Sequence, residues 1–159
     1  MDLNNFKAEK AKQTDWKEIL NLLEESNLID RISGNGSFES FFIIKSVTDN
    51  KIISCFAINR KNDVGILKSF AVSKNLRGLG IGKNIVERIP TLGKELGLKK
   101  LYAASWEAPG FWTKTSFKEI NPFEETEYFF TEYRDYLEKN YPQFAETRRY
   151  FLLFLVEHP

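Results

Sequence analysis

The chain has 159 residues and a formal net charge of +1, so it suits one domain with a sizeable core and carries no global field to draw nucleic acid. Its 42% hydrophobic content argues against disorder, and the lone Cys55 cannot close an internal disulfide, which fits a reducing, cytoplasmic setting. The polar start MDLNNFKAEK lacks a signal-like apolar run, and the longest apolar run, FLLFLV at 151–156, is too short to span a bilayer, so no membrane partner is expected.

In chain order, Asp15 can cap a helix with Glu18 reaching back, and Trp16, Ile19, Leu20 and Leu23 give residues 15–27 a helical apolar stripe. ISGNGS at 32–37 reads as a loop. Three β-rich runs follow, FFIIKSV (41–47), KIISCFAIN (51–59) and VGILKSFAV (64–72), joined by the short turns TDN and RKND. Connections that short can join only antiparallel neighbours, since a parallel crossover needs about a dozen residues. Cys55, among Ile53, Phe56 and Ile58, reads as core packing.

The most specific stretch is LRGLGIGK at 76–83. Alternating glycines let a backbone approach a ligand closely, commonly phosphate. A Walker loop would need glycine where Arg77 stands and Ser or Thr where Asn84 stands. A dinucleotide fingerprint would need its third glycine at Lys83 or Ile85. Neither pattern fits. Ile81, Ile85, Ile89 and Leu92 recur at helical spacing, so the loop opens a helix whose free amides and positive dipole end favour an anion. Arg77 and Lys83 add cations, and Pro90 is expected to kink the helix after its first turn. A strand, KKLYAAS (99–105), and the motif APGFWTKTSF (108–117) come next. Residues 121–159 hold four Lys/Arg and eight Asp/Glu, a net of −4 that leaves +5 on residues 1–120. Within that tail a helix is expected over about 126–140, with Phe129, Tyr133, Tyr136 and Leu137 on one face, then a last strand at about 149–157. The aromatic face either packs on the body or, with Tyr128 and the surrounding glutamates, lids a substrate entrance. His158 reads as surface, and no Cys/His cluster has metal-ligand spacing.

With its strand ending in Val72, the loop AVSKNLRGLGIGKNIVERI and the later APGFWTKTSF in that order, the chain resembles the GNAT superfamily of acyl-CoA-dependent N-acetyltransferases over residues 14–120. It looks most like the small amino-acid acetyltransferases. The resemblance implies an α/β (α+β) fold: a mixed, mainly antiparallel sheet flanked by helices, with an extra C-terminal helix before the last strand. It implies a single domain over 1–159, with a core at about 14–120 and 149–157 and a helical insertion at about 124–145. It also implies acetyl-CoA as co-substrate, no metal, and transfer of the acetyl group to a primary amine of a small molecule or amino acid by direct attack in a ternary complex. A protein amine as acceptor, or a non-catalytic acyl-CoA-binding module, stays open, as does a homodimer.

Carried onto this sequence, the resemblance assigns backbone groups of Phe70, Ala71 and Val72, where a bulge splays two strands, to the pantetheine arm. It assigns the backbone amides of Arg77, Gly78, Leu79, Gly80, Ile81, Gly82 and Lys83 to the pyrophosphate. The thioester would lie between strands 64–72 and 99–105, near Ser105 and Trp112. Four departures stand out. Trp112 replaces a tyrosine acid, and indole is a donor only. Ser116 replaces a glycine and Ser105 an asparagine, and strand 64–72 bears no carboxylate. Glu107 is the nearest candidate catalytic carboxylate.

Overall fold

The computed structural model describes residues 7–28, 37–106 and 108–155. Seven strands form one sheet in the order β1-β2-β3-β4-β5-β7-β6: β1 Glu9–Lys10, β2 Phe41–Lys45, β3 Ile52–Lys61, β4 Val64–Val72, β5 Lys100–Ser105, β6 Lys118–Ile120 and β7 Arg149–Phe154. Among the described residues five α-helices accompany them: α1 Trp16–Glu25, α2 Ile81–Val86, α3 Ile89–Glu95, α4 Pro109–Trp112 and α5 Tyr128–Asn140. The expected mixed α/β architecture is present. By internal contacts the chain divides into two compact units, Met1–Asn59 with Leu67–Ile85, and Arg60–Ile66 with Val86–Pro159.

In the first unit, β1, β2 and β3 pair antiparallel, with Ile43 opposite Cys55. The turn between β2 and β3 closes through Asn50 at φ 61°, and the one between β3 and β4 through Asn62 at φ 56°; asparagine adopts this left-handed conformation more readily than most residues. Helix α1 buries Ile19, Leu22 and Leu23 against Phe41, Ile43 and Cys55, and the Trp16 ring meets Phe41 edge-on at 5.4 Å. The helix starts at Trp16, as an Asp15 cap implies. Asp15 sits at the cap position, but its carboxylate accepts from the Lys12 amide one turn earlier (2.8 Å), and Glu18 accepts from the Ile52 amide (3.0 Å). Those carboxylates thus tie the chain before α1 and the start of β3 instead of closing a capping box.

The second unit is built on β5 and β7, antiparallel with Tyr102 opposite Leu152, and β6 extends β7. Pro90 does more than kink the glycine-loop helix. It falls in the first turn of a separate α3, where a proline lacks nothing the helix needs, so the expected single helix is two. Helix α5 packs on the sheet with Phe130 fully buried and stacked on Tyr102 at 4.2 Å, and Leu137 buried about two turns on. Phe129 and Tyr133 are partly buried as expected, but Tyr136 is 47% exposed: the stack on Tyr102 turns the buried stripe to 130, 133 and 137.

The tail also hides a polar cluster that periodicity does not announce. The Arg148 guanidinium is buried, lies 2.9 Å from Glu138, donates to the Tyr141 carbonyl and sits 5.2 Å over the Trp106 ring. Glu138 also accepts from the Tyr150 hydroxyl (3.0 Å). Burial, then that carboxylate, pushes the Tyr150 phenol above its ordinary range. A buried cation needs such partners, since an isolated one would be strongly destabilising.

Candidate functional site

The strand–loop–helix segment from Phe70 to Lys83 lies within the first unit. Its strand is not regular. Ser69 has φ 56°, a left-handed conformation that strands avoid and that costs a residue with a Cβ roughly 1–2 kcal/mol. The kink breaks the pleat just before the three residues assigned to a pantetheine arm: the Phe70 ring packs toward Phe56 at 6.3 Å, while Ala71 joins the α1-side core with Cys55. Two carbonyls of this stretch already accept hydrogen bonds, Ala71 from the Ser54 hydroxyl (2.8 Å) and Val72 from Arg77 Nε (3.3 Å). Beside Ser69, Lys68 is the only side chain on β4 that titrates, and burial lowers its ammonium pKa.

After Val72 the chain makes a short turn at Lys74–Leu76 and enters the glycine loop. Gly78 and Gly80 have φ 82° and 76°, and a Cβ at either would meet nothing within 4 Å. Glycine is therefore demanded here by backbone conformation, and the open space outside each Cα is room for a ligand. Leu79 between them is 61% exposed, whereas Ile81 is buried and anchors the start of α2. The Asn84 amide is bonded to the Gly80 carbonyl (3.1 Å), which closes the first turn of α2. Gly82 lies in the first turn of α2, and Lys83 is exposed on it.

In the second unit, Ser105 ends β5 and its hydroxyl accepts from the Ala108 amide (3.3 Å). Trp112, in α4, is buried: its ring meets Phe117 at 5.2 Å and Phe151 at 6.2 Å. Its neighbours give it a packing role. Glu107 lies outside the described residues, as do the loop at 32–36, His158 and the last residues of the expected final strand. The acidic end of α5 stands by the turn between β3 and β4, where Lys61 lies 5.8 Å over the Tyr128 ring. Sequence reading also missed Glu25 and Ser26 at the end of α1, which bond to the Lys74 amide and to Arg77.

Residues 7–117, well over half the chain, match the family model described as the acetyltransferase (GNAT) family. The chain belongs to that family. The GNAT chain also matches solved structures. N-acetylglutamate synthase from Neisseria gonorrhoeae, complexed with coenzyme A and N-acetyl-glutamate, aligns with 96% of this chain and 35% of its own, at 18% identity and TM-score 0.72. The GNAT chain thus spans about a third of that protein's length. A GNAT family acetyltransferase from Elizabethkingia anophelis with acetyl-CoA bound aligns over 96% and 99% of the two chains, at 17% identity and TM-score 0.62. The ribosomal-protein-S18-alanine N-acetyltransferase of Escherichia coli does so over 97% and 96%, at 10% identity and TM-score 0.63. At these identities the likeness is one of fold. No curated protein matches the GNAT chain in sequence. Among the described residues, no helix is long and apolar enough to cross a membrane.

Proposed function

We propose that this protein is an N-acetyltransferase that moves an acetyl group from acetyl-CoA to the primary amine of a small molecule or amino acid. On this reading residues 1–159 work as one cytoplasmic acetyltransferase domain, with a helical insertion at about 124–145. The observation that carries it is the left-handed glycine pair opening α2 directly after a kinked strand end. Amides from Arg77 to Lys83 would take the pyrophosphate, and the backbone of Phe70 to Val72 the pantetheine arm. Ser105 and Trp112 would shape the thioester end.

The amine nitrogen attacks the thioester carbonyl; the C–N bond forms, the C–S bond breaks, and the electron pair leaves on sulfur. A thiol pKa of roughly 8.5 lets the thiolate depart near neutral pH without an obligatory acid. A packed Trp112 is compatible with that. The acceptor must lose a proton to become nucleophilic; water can carry it to bulk, with Glu107 the nearest candidate carboxylate. Most of the acceleration is then asked of positioning, which can supply about 7–11 kcal/mol.

The test is thiol release from acetyl-CoA with three sets of acceptors: free amino acids, small amines and peptides with free N-termini. Turnover that depends on a small amine supports the reading. Turnover on peptides alone would move the acceptor to a protein amine. Coenzyme A binding without turnover on any set would leave a binding module.

A further inference from the structure

A loop with two left-handed glycines has many conformations open to it, so a cofactor that needs one of them must offset the entropy of fixing it. Its entry point is held from outside the glycine motif. The Ser73 amide is bonded to the Ile53 carbonyl of β3 (2.8 Å). One residue on, the Lys74 amide donates to Glu25 Oε1 (2.8 Å). Arg77 closes the link: its Nη2 donates to Ser26 Oγ (2.8 Å) and its Nε to the Val72 carbonyl (3.3 Å). The last turn of α1 therefore grips both ends of the connection between β4 and the loop.

We propose that Glu25 and Ser26 are positioning residues for cofactor binding, and that the Arg77 side chain is a brace for the loop and not a ligand of the phosphates. The proposal rests on the reading of residues 77–83 as a coenzyme A site. The chemistry favours arginine for this task. A planar guanidinium presents several donors at fixed angles and reaches Ser26 and Val72 together, whereas a lysine ammonium on a flexible stem is a point charge that does not reproduce the fork. With the fork engaged on α1 and β4, the anion is left to the backbone amides of residues 77–83 on the coenzyme A reading.

Coenzyme A affinity, measured by calorimetry at low and high salt, tests this with Ser26→Ala, Glu25→Ala, Arg77→Ala and Arg77→Lys. Ser26→Ala and Glu25→Ala should each weaken binding about fivefold, as expected for losing one hydrogen bond each. The salt dependence of Ser26→Ala should stay that of wild type, because no charge has been removed. Arg77→Lys should behave like Arg77→Ala. If Arg77→Lys keeps wild-type affinity while Ser26→Ala and Glu25→Ala change nothing, Arg77 acts as a charge on the phosphates and the brace is overturned. Amide hydrogen exchange of the free protein supplies a readout independent of the cofactor. Exchange across residues 76–83 should quicken in Ser26→Ala, and unchanged exchange there would overturn the brace. Should wild type bind no coenzyme A, the cofactor reading falls and the exchange result alone decides the brace.

Discussion

The glycine loop and the aromatic tail solve opposite problems. The loop at 76–83 turns mostly outward, with Arg77, Gly78, Leu79, Gly80 and Lys83 exposed, and what it offers is backbone: left-handed turns that lead into a helix start. The tail from α5 to β7 offers side chains turned inward, with Phe130 and Phe151 fully buried and Tyr150 nearly so. A loop of that kind can lose function without losing the fold. A tail of this kind can lose the fold without touching the loop. Where chemistry resides in backbone conformation it is carried by glycines; where stability resides in interlocked rings it is carried by volume and shape.

The largest expected effect breaks the tail. Phe130→Ala removes a fully buried ring stacked on Tyr102 and should destabilise the protein by about 3–5 kcal/mol, a large part of a typical domain's stability. Urea denaturation measures it, and a loss below about 1 kcal/mol would show that α5 is not part of the core. The same question for the other unit is answered with pH. Burial pushes the Cys55 thiol up to about 12. Below the unfolded thiol's pKa, roughly 8.5, both states hold the proton; above it the unfolded chain loses the proton and the native chain keeps it. Stability should therefore fall as pH rises from there toward about 12, by about 1.4 kcal/mol per pH unit from this group, and the slope between about pH 8.5 and 10 should flatten in Cys55→Ala. An unchanged slope would mean the thiol is not the group responsible.

Breaking the loop should leave the fold standing. A side chain at Gly80 meets no atom within 4 Å, so Gly80→Asp carries only the left-handed strain, about 1–2 kcal/mol. Its carboxylate would repel a pyrophosphate, and coenzyme A affinity should fall about 100-fold or more, which is about 2.7 kcal/mol. Calorimetry that finds wild-type affinity would remove the phosphate assignment. The smallest effect concerns the acidic start of α5. Its glutamates are exposed or half-buried, and charges in that setting are screened over a Debye length of about 8 Å. Changing Glu124, Glu125, Glu127 and Glu132 together to Gln should alter neither the acceptor KM nor the acetyl-CoA KM. A raised acceptor KM alone would support an acidic rim at the acceptor entrance.

How much could be read in advance follows the same division. Strand β4 occupies Val64–Val72 as expected, and α5 ends at Asn140 and starts two residues inside its expected range. The elements around the glycine loop were legible because their signals are local: turn asparagines, an apolar period, glycine alternation. Short elements such as β1, β6 and α4 were not, since two to four residues hold no period and form only because a neighbour pairs with them. The separation of α2 from α3 was half legible: proline announces a disturbance, but whether a helix bends or restarts depends on what each piece packs against.

By itself the amino-acid sequence determined the family, the strand–loop–helix order and the demand for glycine at 78 and 80, because each of these is written in consecutive residues and their backbone preferences. Tertiary structure alone decided that Arg77 turns to Ser26 and Val72, that Glu18 ties the start of β3, that Ser69 takes a conformation a serine disfavours, and that Arg148 is buried between Glu138 and Trp106. Partners such as Ser26 and Arg77 stand 51 residues apart, and no local preference selects one contact over another at that distance. Only the packed chain, which brings the end of α1 beside the end of β4, makes that choice.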